Sequence, residues 1–322
     1  MLTGVRLLAA VLMALAAPAR AQDKPYPTRP ISLVVPFAPG GSVDAVIRVL
    51  KPQLEQRLGQ PVVMEYRGGA ATTIGTASVA HAAPDGYTIG IVVDAHTVNP
   101  SLYKHLSYTF ADFASVSLMG EIPLVIAVNT TSELDSLAKL VAVAKASPKG
   151  VTYATVGAGS INHLAAELFS RAAGIELTHV PYRGGGPAVN DLLGGHVNVM
   201  FMSATLAWPY LQAGTLRAIA VTSDQRLPIL PNVPTVAESG YPKFNTFAWQ
   251  GMLVPAKTPP EIVARLNSET KAVLAMPDVK AKLAELGFVT VGSTPAEFDA
   301  FIRADSSRWA KIITEANIGI EQ

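Results

Sequence analysis

The residues best suited to gripping a ligand lie in Val35-Pro36-Phe37-Ala38-Pro39-Gly40-Gly41-Ser42-Val43-Asp44. An apolar run ends in a Pro/Gly turn, and Val43, Val46, Ile47 and Leu50 then recur with a helical period. The unpaired N–H groups of a first helical turn, with the positive end of the helix dipole behind them, make an anion site. Gly40 and Gly41 carry no side chain to keep a ligand off the backbone. Ser42 falls where an N-cap belongs. Asp44 sits in the first turn, where a carboxylate commonly balances the dipole; facing a ligand, it would favour a cation or a hydroxyl. Two junctions of the same kind follow: Gly157-Ala158-Gly159-Ser160-Ile161-Asn162-His163, and Tyr182-Arg183-Gly184-Gly185-Gly186-Pro187. His163 either donates to a ligand carboxylate or satisfies a nearby backbone carbonyl. Arg183 either pairs with a carboxylate or faces water.

Catalytic signatures are missing. The chain has no Gly-x-Ser-x-Gly elbow, no phosphate loop ending in Gly-Lys-Ser/Thr and no His-Glu-x-x-His. Gly157-Ala158-Gly159 begins like a dinucleotide fingerprint, but Asn162 stands where the third glycine belongs, so no cofactor is expected. The six histidines (81, 96, 105, 163, 179 and 196) are scattered, and no metal is expected. Ser160 with His163 is the one nearby nucleophile–base pair an exported hydrolase could use; at a helix start, the hydroxyl serves better as a cap. Phe37 and Trp249 read as core residues on the usual fate of aromatics.

Positioning these loops requires strands that deliver them to one edge. Ile31–Val35, Pro61–Tyr66 and Tyr87–Val93 read as strands. The segments between them carry helical patterns, the order of βαβ units in a mainly parallel sheet. Ligands of such sheets bind beyond the carboxyl ends of the strands, which places there the first loop, the loop containing Gly68 to Thr72, and Asp94-Ala95-His96 before an Asn-Pro break. Ser132 to Asp135 reads as a cap and first helical turn, and Thr258-Pro259-Pro260-Glu261 as a capped helix start. Val151–Val156, Glu176–Val180 and Val197–Met202 read as further strands, and Pro187 suits the first position of a helix. Leu124–Asn129 and Trp249–Pro255 are taken as the crossings between two domains. The expected division is residues 22–124 with 249–322 in one domain and 125–248 inserted as the other.

Size fits that division: 322 residues with 49% hydrophobic content can bury two cores. A net charge of +1 gives no nucleic-acid footprint. Arg6, the apolar Leu7–Ala17 and Ala19-Arg20-Ala21 form a secretory signal with the cut expected after Ala21, so residues 1–21 are a signal peptide and the product is exported. Eleven apolar residues fall short of the roughly 20 that span a bilayer. With no cysteine, the chain has neither disulfides nor a lipid attachment point.

Several motifs in register resemble the solute-binding proteins of tripartite tricarboxylate transporters, the Bug or TctC family. They are Tyr26-Pro27-Thr28-Arg29-Pro30, Val35-Pro36-Phe37-Ala38-Pro39-Gly40-Gly41 with Asp44, Arg57-Leu58-Gly59-Gln60-Pro61, Ala83-Pro84-Asp85-Gly86-Tyr87, His179-Val180-Pro181-Tyr182-Arg183-Gly184 and Val233-Pro234-Thr235. The resemblance implies an α/β, two-domain type II periplasmic-binding-protein fold, each domain a mainly parallel sheet flanked by helices. It implies a periplasmic monomer that captures a small organic carboxylate between its domains and delivers it to a membrane permease. A sensor handing its liganded form to a membrane receptor would share the fold. The implied ligand set is Phe37, Ala38, Pro39, Gly40, Gly41, Ser42, Asp44, Thr72, Ala95 and His96 from one domain, and Gly159, Ser160, His163, Arg183, Gly184 and Met202 from the other. Three positions depart from the family pattern. Tyr66-Arg67-Gly68-Gly69-Ala70-Ala71-Thr72 replaces an Asn-Arg-Pro-Gly-Ala-Gly-Gly loop, Met202 replaces an acidic residue, and Asp94 adds a charge. Losing the acid at 202 argues against an amino acid and towards a plain or aromatic carboxylate.

Overall fold

A computed structural model describes residues 26–182 and 184–316. The expected signal peptide, residues 1–21, and the candidate ligand residue Arg183 lie outside the described residues. Strand β1 (Ile31–Val35) leads into helix α1 (Ser42–Leu58), and β2 (Val62–Tyr66) into a short 3-10 turn (Ala70–Thr72) and α2 (Thr73–Ala80). Then come β3 (Thr88–Val93), α3 (Ala95–Leu102) and the 17-residue β4 (Phe113–Asn129). The middle of the chain holds α4 (Leu137–Ala146), β5 (Thr152–Thr155), α5 (Ile161–Ala173), β6 (Thr178–Pro181), α6 (Gly185–Leu193), β7 (Val199–Ser203), α7 (Ala204–Gln212) and β8 (Leu216–Val221). The chain returns through β9 (Phe247–Pro255), α8 (Pro260–Ala275), α9 (Pro277–Glu285), β10 (Val289–Thr290) and α10 (Pro295–Ala316).

The strands line up as β2-β1-β3-β9-β4-β7-β5-β6, with β8 and β10 also paired to β4. The ladders β1/β2, β1/β3, β5/β6 and β5/β7 are parallel, while β4 and β9 run antiparallel to their neighbours. Strand β4 serves two sheets: Phe113–Pro123 pairs with β9, and Leu124–Asn129 pairs with β7 and β8. Thr222 ties the crossing segments together. Its Oγ1 accepts from Leu124 N at 2.9 Å and donates to Thr246 O at 2.6 Å.

Alternation along the strands explains the layering. Ile31, Leu33 and Val35 of β1, with Ile89, Ile91 and Val93 of β3, face a cluster completed by Val46, Ile47 and Leu50 of α1 and by α8 and α9. Val92, Trp249 and Leu253 face the other side, against Phe298 and Ile302 of α10. Gly251 makes that contact possible, since a Cβ there would stand 2.0 Å from the Phe298 ring. A third cluster packs α4 and α5 on the second sheet and takes in Trp309 and Ile313 from the far end of α10. None of the described helices is long and apolar enough to cross a membrane.

Local expectations needed correction at several points. Helix α4 starts at Leu137 with Ser136 as its cap, accepting from Lys139 N; Ser132 instead caps only a turn, accepting from Leu134 N. The Asn-Pro pair does not break the chain. Helix α3 runs through Pro100, close enough to its end that Tyr103 N still closes the last turn on Asn99 O at 2.9 Å. Helix α6 starts at Gly185, making Pro187 its third residue. The α8 cap position is Pro259, and Thr258 Oγ1 is buried without a partner. Helix α7, strand β8 and the first eleven residues of β4 had no counterpart in the sequence reading.

Candidate functional site

The first wall grows from the carboxyl ends of β1 and β2. Gly40, at φ +90°, turns its N–H onto Asp44 Oδ2 at 2.9 Å. Arg48 Nε donates to the same oxygen at 2.9 Å, and Tyr66 Oη donates to Oδ1 at 2.6 Å. Burial alone would raise the Asp44 pKa, but hydrogen bonds from Tyr66, Arg48 and Gly40 outweigh it and hold the carboxyl below its ordinary value. Asp44 is therefore a buried anchor of the loop, its oxygens committed within the protein. The cap of α1 is Gly41 rather than Ser42, with no side-chain acceptor, so the orphan amides that follow it are not capped by a side chain.

Between β1 and the 3-10 turn lies a cleft of about 570 Å³, lined by Phe37, Ala38, Pro39, Tyr66, Ala71 and Thr72 among others. Phe37 is 37% exposed, which corrects its reading as core, whereas Trp249 is buried. The 3-10 turn holds three consecutive non-glycine residues in the left-handed region: Ala70 at φ 45°, Ala71 at 48° and Thr72 at 74°. Each costs on the order of 1–3 kcal/mol. The turn is pinned by Asn99 Nδ2 donating to Ala71 O at 2.8 Å and Thr73 Oγ1 donating to Ala70 O at 2.8 Å.

The third loop of this half behaves differently from its sequence reading. Ala95 opens α3 and is half-buried. The His96 ring is 1% exposed and packs among Tyr108, Phe110 and Phe113, so the side chain points into the core rather than to the surface. Burial pushes its pKa down to about 3 and keeps it neutral. Asp94 is buried beside Asp305; burial first, and then that neighbour, push its carboxyl up to about 7.

A second group of candidate loops follows the carboxyl ends of β5, β6 and β7. Ser160 caps α5, accepting from His163 N at 3.4 Å and donating to Gly157 O at 2.6 Å. Gly159 N donates to His163 Nδ1 at 3.1 Å. The hydroxyl of Ser160 and the ring of His163 thus face different partners, and no nucleophile–base pair exists between them. The His163 ring accepts from a backbone amide, a role neither of its two sequence readings contained. Gly184 caps α6 at φ 112° with no side-chain bond and open space where a Cβ would stand. Met202 is fully buried, in a cluster with Ala154, Val189 and Leu192, so its side chain belongs to the core rather than to a ligand surface. Asn162 Nδ2 donates to Phe201 O at 2.9 Å and ties α5 to β7, a structural use of the position where a dinucleotide fingerprint carries glycine. Among the described residues no group of three His, Asp or Glu side chains is placed to hold a metal.

Sequence reasoning missed His179, Thr155 and the phenol of Tyr66. His179 is hydrogen-bonded to Thr155 Oγ1 at 2.7 Å and stacks on His163 with centroids 4.0 Å apart. Only the β5/β6 register, which sets Tyr153 opposite His179, brings that residue to the loop; no local motif carries the signal.

A family model described as "Tripartite tricarboxylate transporter family receptor" matches residues 46–318. Protein BugT of Bordetella pertussis is 40% identical over 304 residues, covering 94% of this chain and 93% of BugT. The structure described as "R. palustris Rpa4515 with adipate" superposes with a TM-score of 0.85 at 34% identity, covering 91% of this chain and 99% of that one. MatC (Rpa3494) from Rhodopseudomonas palustris, with bound malate, superposes with a TM-score of 0.80 at 31% identity, covering 89% and 100%. The fold is that of the periplasmic binding proteins. By this match over most of its length, the chain belongs to the tripartite tricarboxylate transporter receptor family, TctC, whose members are periplasmic solute-binding proteins and not enzymes.

Proposed function

We propose that this protein, exported after cleavage following Ala21, binds one small organic carboxylate between two domains as a monomer and delivers it to a tripartite tricarboxylate-type permease. The domains are residues 22–124 with 249–322, and 125–248. The carboxylate is held by amides at the glycine-capped starts of α1 and α6 and at the first turn of α5, where charge is favoured without a formal cation. The observation that carries this reading is the pair of helix starts at Gly41 and Gly184, neither of which is capped by a side chain. Similarity to proteins solved with adipate and malate supports a carboxylate as the ligand class.

The body of the ligand rests on the apolar part of the first wall, against the half-exposed Phe37 and the ring of Tyr66, whose hydroxyl is spent on Asp44. That lining favours a plain or aromatic carboxylate over a highly charged one. A thermal-shift series of benzoate, adipate, malate and citrate tests both levels. A true ligand at a hundred times its dissociation constant adds about 2.7 kcal/mol of stability. The expected order puts benzoate or adipate first. A melt unmoved by every carboxylate overturns the carboxylate reading, and citrate ranking first overturns the apolar-body reading.

A further inference from the structure

Behind the Gly157–Ser160 loop sits a cluster whose geometry the binding reading does not use. The His163 and His179 rings lie face to face, 4.0 Å apart and 7° from parallel, with Tyr153 beside both, its centroid 4.9 Å from His179 and 6.3 Å from His163. His179 Nε2 is hydrogen-bonded to Thr155 Oγ1, the last residue of β5, at 2.7 Å. That oxygen in turn meets both polar backbone groups of Gly157, accepting from N at 3.3 Å and lying 3.2 Å from O. His163 Nδ1 accepts from Gly159 N at 3.1 Å. His179 therefore reaches the glycine turn by two routes: through Thr155 to Gly157, and through the stacked ring of His163 to Gly159.

We propose that His179 is a positioning residue for ligand binding: by hydrogen-bonding Thr155 and backing the His163 ring, it holds the Gly157–Gly159 turn so that the first amides of α5 face the cleft. Ser160 closes the turn on Gly157 O, through Oγ at 2.6 Å and N at 3.3 Å, and the histidine routes brace it from behind. Gly157 and Gly159 lie at φ 143° and 75°, and with no side chains they are free to leave that shape. For Gly159 N–H to be received, His163 Nδ1 must keep its lone pair, which fixes the ring as the neutral tautomer with its proton on Nε2. Nε2 then points towards Glu167 Oε1 at 3.9 Å, an oxygen already accepting from Tyr153 Oη at 2.6 Å. Glu167 and Tyr153 are the charged and titratable neighbours the rings face among the described residues. A protonated His163 would set a donor against the Gly159 donor and a cation against the second ring. Burial keeps both rings out of that state, pushing each pKa down to about 4.

The binding readout rests on the carboxylate reading, whereas the amide and tautomer readouts do not. The test compares wild type with His179→Ala, which removes both routes, and with Thr155→Val, which keeps the shape but deletes the hydroxyl. Three quantities are read: hydrogen exchange of the Gly159 amide, the His163 tautomer by ¹⁵N NMR at pH 7, and adipate and malate affinity by calorimetry. Both variants are expected to speed Gly159 exchange by about tenfold, the scale of one lost hydrogen bond, and to weaken binding by a similar factor. In His179→Ala the His163 ring also becomes a mixture of tautomers. Unchanged exchange and an unchanged tautomer in two folded variants would overturn the proposal whatever happens to affinity. Lost protection in a protein whose wild type ignores every carboxylate would leave the brace standing and remove the carboxylate reading instead. If His179→Ala does not fold, Thr155→Val alone decides.

Discussion

Gly40 and Gly41 are neighbours with different duties. Gly40 lies at φ +90° with its N–H spent on Asp44, whereas Gly41 is extended at φ −85°, caps α1 and has no heavy atom within 4 Å of where a Cβ would stand. The open space where a Cβ would stand at Gly40 and Gly184 suggests that a valine at either would harm binding more than folding. The left-handed φ of both residues changes that expectation, because a side chain there strains the backbone as well. Gly41→Ala is the cleaner probe. It is expected to leave the melt within about 0.5 kcal/mol of wild type while weakening adipate binding about tenfold, because the methyl group keeps the carboxylate off the helix amides. Gly40→Ala should instead lose about 1–2 kcal/mol of stability. Paired melts and calorimetry separate the two.

The same scale shows what could be read in advance. The turn and helix start from Phe37 to Asp44 were legible because glycine, helical period and turn residues form a local pattern. The commitment of Asp44 to Tyr66, and of His163 to Gly159 and His179, was not. Tyr66 is 22 residues from Asp44, and His179 is 24 from Thr155; strand order makes each of them a neighbour, and one-dimensional spacing does not carry it.

Among the elements, the strands and helices that alternate cleanly were legible to within a residue or two, as with β1, α1 and β3. Strand β4 was half missed because Gly120, Glu121 and Pro123 interrupt its apolar run exactly where it passes from one sheet to the other. Helix α7 was hidden by Pro209 and its short length. The start of α3 carries a testable strain. Asp94 is buried near Asp305, whose Oδ2 accepts from Thr97 Oγ1 at 2.7 Å and Trp249 Nε1 at 3.2 Å. An acid whose pKa is raised on folding, here from 3.8 to about 7, binds its proton more tightly in the folded state. Its contribution is therefore favourable at low pH and is lost as pH rises through that window. Asp94→Asn is expected to raise the melting temperature at pH 8 by about 2 °C or more, the scale of 1 kcal/mol in a chain of this size, and to change it little at pH 4. Melts at the two pH values check the sign.

Across the whole molecule, two sheets share β4, and two interiors share α10. Phe298 and Ile302 fill the cluster around Trp249, while Trp309 and Ile313, two to four turns further along, fill the one built on α4 and α5. Removing residues 295–322 is expected to abolish the cooperative melt of both halves together, rather than loosening one of them, as followed by circular dichroism and limited proteolysis. A surviving native-like transition would contradict that. The placement of α10 also sets an order of events. Neither interior can exclude water before that helix docks, so its docking must come ahead of the sealing of either core.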